Sequence, residues 1–349
     1  MQSGGRSRRE PGASATIEDV ARLAGVSRAT ASRVANRSPK VSPEARAAVQ
    51  AAIARLGYVP NRAARSLMTR RSDSIGVVIM EPAGSLFADP FFGHLLVGIS
   101  DGLAARDIQL VLLMAQTERE EERVERYLEA GHVDGAILVG PHGNDPLPAR
   151  LERNGVPIVL SGRQLGGGSL SHVDSDNRGG ARMAVNHLLQ GGRRVIATIH
   201  GTLDMSSGLD RLHGYRDALL DAGIAHDPAL EGAGNYHPVA AADAMRELLE
   251  RRPQIDAVFA ASDSMAAAAI RVIQESGRRI PEDVAVVGFD DSPVALTTRP
   301  ELSTVRQPIE AMGREMARLL LHRIDEPGNA ASQVVFATEL VVRESSVSR

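Results

Sequence analysis

Six residues in one short stretch, Arg28, Ala29, Thr30, Ser32, Arg33 and Asn36, fall together on the outside of a helix expected from Arg28 to Asn36. Ala31, Val34 and Ala35 of the same helix turn inward at helical spacing. Arginine meets guanine O6 and N7 with two parallel hydrogen bonds and hydroxyls meet phosphate oxygens, so such a face suits the major groove of DNA. A second set of chemically active residues follows strand-length apolar runs farther along. It comprises Phe91 and Phe92, Ser161 and Arg163, Asp174, Asp176 and Asn177, residues 204–211, Ser262 and Asp263, and Asp290 and Asp291. Carboxylates accept from hydroxyls, Arg and Asn donate, and aromatic faces cover C–H surface, which is the mixture a neutral sugar requires.

The first set needs a small helical module. Thr16 is placed to cap a first helix with Asp19 reaching back, and Val20, Leu23 and Ala24 share one face. Gly25 supplies the tight turn and Ser27 the next cap. Ser42, Pro43 and Glu44 open a third helix whose Val49, Ile53 and Leu56 close a three-helix core. Residues 60–67, PNRAARSL, form one more short helical run, and residues 69–74 a polar linker. A helix of about eight residues is unstable alone, so this run folds when a partner supports it.

The second set needs sheets. From Ile75 onward short apolar runs alternate with amphipathic segments, the pattern of parallel strands covered by helices on both faces. Two sheets of ordinary domain size fit this length better than one very large sheet. Ligands of open α/β sheets sit beyond the strand C-termini, which is where the second set falls.

The stretches TIEDVARLAGVSRATASRVAN, VSPEAR and LGYVPNRAARSL, with VGFDD farther on, resemble the lactose-repressor (LacI/GalR) family of bacterial transcription regulators, from Thr16 to Ser345. The resemblance implies an α/β protein in which an all-α helix-turn-helix domain and a hinge helix precede a bilobed periplasmic-binding-protein-like core. The expected division is a disordered basic arm at 1–15, the DNA-binding domain at 16–59, hinge and linker at 60–73, and an effector-binding and dimerisation core at 74–349. One lobe takes about 74–173 plus 304–327, the other about 174–303 plus 328–349. By the same resemblance Arg28, Ala29 and Arg33 contact bases, and Thr16, Ser27, Thr30, Ser32, Asn36 and Ser42 contact phosphates. Asn61, Ala64 and Leu67 belong to the minor-groove hinge, with Leu67 as an apolar wedge that bends the duplex. Arg211 and Asp290 match effector-binding residues, and Phe91, Phe92, Met205, Ser207 and Ser262 occupy effector-contacting positions; Arg163 joins them from its place after a strand. The implied function is a repressor, homodimeric on a pseudo-palindromic double-stranded operator, released by a sugar or oligosaccharide. A regulator activated by a purine-like corepressor is the alternative. The segment DMSSGLDR is similar to regulators of plant-polysaccharide or β-glucoside use, and no heptad tail suggests a tetramer.

Composition narrows the classes further. The 349 residues carry a net charge of −3, but residues 1–71 hold 14 Lys and Arg against 4 Asp and Glu, giving +10 and leaving −13 for the rest. One end suits a polyanion and the other avoids it. The chain has no cysteine, which fits a reducing cytoplasm and removes disulfides and thiolate metal sites. No apolar segment follows Arg6, Arg8 and Arg9 as in a secretory signal, which argues against an exported solute-binding protein. No membrane span, metal-ligand spacing or cofactor loop is expected. Gly98-Ile99-Ser100-Asp101-Gly102 matches GxSxG but falls inside a helical pattern, so neither a hydrolase nor another enzyme is expected.

Overall fold

The computed structural model describes residues 15–35, 40–59, 71–166 and 168–347. They belong to two compact units divided between Ser72 and Asp73.

In the first unit, α1 (Ile17–Ala24), α2 (Arg28–Ala35) and α3 (Pro43–Leu56) enclose Val20, Ala21, Ala31, Val34, Val49 and Ala52. Thr16 and Asp19 form a reciprocal capping box at the start of α1, and Gly25 ends that helix at φ 67°. Ser27 Oγ accepts from Thr30 N at 3.1 Å, and Ser42 Oγ from Ala45 N at 3.3 Å. Two expected core residues lie outside: Leu23 is 42% exposed and Leu56 36%. The buried stripe of α1 runs through Val20 and Ala21, where a methyl side chain permits close approach of α3, and Leu23 is about 200° round the helix from Ala21. In α3 the corresponding small residue is Ala52, with Ile53 partly buried beside it.

The second unit contains two six-stranded sheets. The first is built from β1 (Ser74–Ile79), β2 (Gln109–Met114), β3 (Ala136–Val139), β4 (Ile158–Ser161), β5 (His172–Ser175) and β11 (Gln333–Phe336), all parallel, in the order β11-β5-β4-β3-β1-β2. The second comprises β6 (Ile196–His200), β7 (Glu231–Ala233), β8 (Ala257–Ala260), β9 (Ala285–Asp290), β10 (Ser303–Arg306) and β12 (Glu339–Val341), in the order β12-β10-β9-β8-β6-β7. There β12 alone runs antiparallel. Strand residues alternate between two apolar layers: Val77, Ile79, Ile137 and Val139 pack in one, Val78, Leu138 and Leu160 in the other. Covering both faces with helices is what makes these runs continuously apolar.

Helices α4 (Ala83–Ala88), α5 (Pro90–Ala104), α6 (Glu118–Glu129), α7 (Leu147–Arg153) and α12 (Ile309–Asp325) accompany the first sheet; α8 (Asn177–Gln190), α9 (Ser206–Asp221), α10 (Pro238–Arg251) and α11 (Asp263–Glu275) accompany the second. The chain passes between lobes after β5, after β10 and between β11 and β12. Three segments depart from the expected division, the first being residues 174–175, which end β5 in the first sheet. Residues 304–306 pair with β9 in the second sheet, and residues 333–336 pair with β5 in the first. Without that partner β5 would be an edge strand with unpaired amides and carbonyls, a constraint that a short mixed-polarity segment does not announce.

The GxSxG glycines are packing residues. A Cβ on Gly98 would stand 2.1 Å from Glu310 O, and one on Gly102 2.7 Å from Ala317 Cβ, where α5 crosses α12. Ser100 between them is exposed within the helix, not presented on a turn.

Candidate functional site

In the helical unit, the side chains expected to meet DNA divide into two kinds. Arg28, Ala29 and Arg33 are exposed on α2, with Arg28 Nε 2.7 Å from Glu18 Oε1. Thr16, Ser27 and Ser42 cap helix N-termini, and the Thr30 hydroxyl lies 2.9 Å from that of Ser27. Helix N-termini present unpaired amides and positive dipole ends, a setting that favours phosphate. Ser32 is half-buried on α2. Asn36, Asn61, Ala64 and Leu67 lie outside the described residues.

In the second unit an open cavity lies between the two sheets. Of the expected effector residues, Phe91, Phe92, Met205, Ser207, Arg211 and Asp290 line it. Its floor is a hydrogen-bonded chain. Ser175 Oγ donates to Gln307 Oε1 at 2.8 Å, and Gln307 Nε2 to Asp290 Oδ1 at 2.6 Å. Arg211 Nη1 lies 3.4 Å from Asp290 Oδ1 and donates to Ala261 O at 2.6 Å, while its Nε donates to Asn177 Oδ1 at 2.8 Å. Asn177 Nδ2 closes on Asp174 Oδ1 at 2.8 Å. Residues 174–177 and Gln307 flank two of the three lobe crossings, so the polar floor also ties those crossings together.

The guanidinium of Arg211 is packed over Phe289, 3.6 Å from the ring centroid, with Tyr236 at 5.9 Å. Burial pushes the carboxyls of Asp89, Asp174 and Asp290 above their usual range, opposed at Asp290 by Arg211 and at Asp89 by the Phe91 amide that it caps. Backbone strain collects at the same walls: Asn235, Tyr236, Asp290 and Asp291 have φ of 49°, 57°, 111° and 54°. Such conformations cost about 1–3 kcal/mol each in a residue with a Cβ and persist where the surroundings enforce them.

Known protein families share this two-part geometry. Residues 16–61 match the model for bacterial regulatory proteins of the lacI family, and residues 185–346 match a periplasmic binding protein-like domain. The HTH-type transcriptional regulator CelR of Thermobifida fusca is 51% identical over 332 residues, covering 95% of this chain and 98% of that protein. The chain belongs to the LacI family of bacterial transcriptional regulators. Another member, GalR of Escherichia coli K12, is 36% identical, with 95% of each chain covered. Among solved LacI-family structures, a CelR–cellobiose complex superposes with a TM-score of 0.77 at 49% identity, covering 95% of this chain and 99% of the other. A lac repressor dimer bound to operator and the anti-inducer ONPF gives 0.84 at 27% identity, covering 96% and 100%.

Two residues expected at the effector site of this LacI-family member take other posts. Ser262 is buried as the N-cap of α11, accepting from Met265 N at 3.3 Å. Arg163 turns to Asp210 in a bidentate pair of 2.5 and 2.8 Å and is absent from the cavity wall. Asp263, grouped with the cleft residues, is a buried acceptor for Thr304 Oγ1 at 2.5 Å and Ser292 N at 2.7 Å and is absent from the cavity wall. Asp176 caps α8 through Gly179 N at 2.8 Å. The sequence reading missed Glu81, Asp89, Tyr236 and Gln307 as wall residues. Glu81 follows the apolar run of β1 and carries the same signal as its successful counterparts. Asp89 reads as the cap before Pro90, Tyr236 follows a three-residue strand, and Gln307 depends on a lobe crossing that no local pattern marks.

Proposed function

We propose that this chain is an operator-binding repressor, a homodimer of the bacterial cytoplasm, released from DNA by a neutral sugar held between its lobes. The lac repressor dimer on operator supports the DNA and dimer parts, and the CelR–cellobiose complex supports the sugar. In this reading Arg28, Ala29 and Arg33 read bases, and Thr16, Ser27, Thr30, Ser32, Asn36 and Ser42 hold phosphates. Asn61, Ala64 and Leu67 keep the hinge role that the family resemblance gives them. The effector residues are Phe91, Phe92, Met205, Ser207, Arg211 and Asp290, joined by Glu81, Asp89, Asp174 and Tyr236.

The observation that carries the effector reading is the composition of the cavity wall. Four carboxylates, Glu81, Asp89, Asp174 and Asp290, face a space whose guanidinium, Arg211, is already committed to Asn177, Ala261 and Asp290. Hydroxyls can donate into such a wall, whereas a phosphate or uronate would meet like charge in a buried setting. Phe91 and Tyr236 add apolar ring surface for sugar C–H groups. Switching follows from a ligand that prefers one arrangement of the lobes, since a differential affinity of a few kcal/mol moves such an equilibrium.

The test begins with selection of duplexes from a random pool by the full-length protein, followed by titration of the bound complex with cellobiose, cellobiose phosphate and cellobiuronate. A pseudo-palindromic site released by cellobiose, with the anionic analogues at least tenfold weaker, is the expected result. Equal affinity for selected and scrambled duplexes would overturn the DNA reading. Release by purine bases and by no sugar would move the cavity to the purine class.

A further inference from the structure

Outside the cavity floor, two cations of the first lobe grip one short segment of the second. His142, in the loop after β3, lies with Nε2 3.0 Å from Glu81 Oε1 and Nδ1 3.1 Å from Asp204 Oδ1. Glu81 follows β1 in the same lobe; Asp204 stands in the second lobe, between β6 and α9. Both ring nitrogens face carboxylate oxygens, which only accept, so both nitrogens must carry protons and the bridge requires the imidazolium. Beside it Gly143 N donates to Asp204 O at 2.6 Å. Six residues farther along, Arg163 of the first lobe makes its two-pronged pair with Asp210 on α9. Between these two carboxylates lie Met205 and Ser207 of the cavity wall, and Arg211 follows immediately.

We infer that His142 and Arg163 form a charged clasp that fastens residues 204–210 to the opposite lobe, so that closure over the effector is set at the rim as well as by ligand contacts. The inference rests on the cavity being the effector site and adds how that site is regulated. A bidentate guanidinium–carboxylate pair and a cation shared between two carboxylates fix geometry in a way that single exposed pairs do not. Parting the lobes would separate Asp204 from His142 and Asp210 from Arg163 and would leave Glu81 beside His142.

The clasp has a pH dependence of definite sign. The hydrogen bonds that His142 donates to Glu81 and Asp204 raise its imidazolium to about 9, against partial burial, which lowers it. Losing Asp204 on opening lowers that value, so closure takes up proton affinity. The contribution is complete below the lower value of the open arrangement and disappears as pH rises through about 9. The groups facing the ring are Glu81 from the loop after β1 and Asp204 from the loop before α9.

Amide exchange on the ligand-free full-length protein tests the clasp without reference to any effector. His142→Gln combined with Arg163→Met should raise exchange across residues 202–210 about tenfold while β1, β3, β6 and β8 keep their protection. Wild-type protection of 202–210 in that variant would overturn the inference. Asp204→Asn, at a half-exposed position, gives the same readout if the double variant folds poorly. The second arm uses cellobiose. The unmodified protein should lose about tenfold in affinity between pH 7.5 and pH 9.5, through faster dissociation, and His142→Gln should show no such loss; identical profiles would overturn the inference. Should the unmodified protein fail to bind cellobiose, the sugar reading fails and the exchange arm decides the clasp by itself.

Discussion

Arg211 and Asp290 are 5% and 7% exposed, and each answers for the other's charge. Removing one partner of such a buried pair leaves the other uncompensated at a cost of about 3–5 kcal/mol, so truncation confounds folding with binding. Asp290→Asn keeps an acceptor for Gln307 while removing the charge. It should retain operator binding and need at least a hundredfold more cellobiose for release, measured by titration of the DNA complex; release at the wild-type concentration would take Asp290 out of the effector site. A second residue makes a pH prediction. Burial pushes the Asp263 carboxyl to about 7, far above its value near 3.9 in an unfolded chain. Between those values the folded state holds a proton that the unfolded state has released, so stability falls as pH rises from about 4 to about 7 and is level above. Asp263→Asn should flatten the slope of melting temperature over pH 5–7, and an unchanged slope would assign it elsewhere. At this scale the sequence was partly legible. Met205 stands in the loop after β6 and Asp290 ends β9, Arg211 on α9 was marked by the family resemblance, and all three line the cavity. Arg163 and Ser262 carry the same signal and do not, because which side chain turns inward depends on Asp210 and on the start of α11, partners decided by the fold.

Elements were the more legible level, because their signals are local. The capping box at Thr16, the turn at Gly25 and the proline at the start of α3 each state a helix boundary within a few residues, and all three boundaries are where these residues put them. The failures at this scale concern small residues. Ala21 and Ala52 hold the centre of the helical unit where Leu23 and Leu56 were expected, since close helix approach rewards a missing side chain as much as a large one. The crossing of α5 and α12 repeats the lesson. Gly313 would place a Cβ 2.6 Å from Leu95 O, the mirror of Gly98 against Glu310, so two helices meet backbone to backbone. Gly98→Val has to part them, and overpacking of this kind costs about 1–3 kcal/mol even before backbone contacts are counted. Calorimetry should show that loss, whereas Ser100→Ala beside it should melt like the unmodified protein. A stable Gly98→Val variant would mean that α5 and α12 do not meet as described.

The whole molecule separates its charges: the first 71 residues carry +10 and the remainder −13. A polyanion is thereby attracted to the unit that reads it and repelled by the unit that senses the effector, and the attraction weakens as salt rises. Sequence specificity is a separate quantity, carried by the few side chains that reach base edges. The two can be pulled apart at Arg33, which is exposed on α2. Arg33→Ala should cost about 1–3 kcal/mol of discrimination between the selected operator and a scrambled duplex. Binding to scrambled DNA should persist, with log affinity still falling by about 0.9 per log unit of salt for each phosphate neutralised. Both are read from one series of anisotropy titrations at several salt concentrations. If Arg33→Ala weakened both duplexes equally, Arg33 would be one more phosphate contact and the reading of bases would have to lie with Arg28 and Ala29. If neither affinity changed, the outward face of α2 would not be the surface that enters the groove.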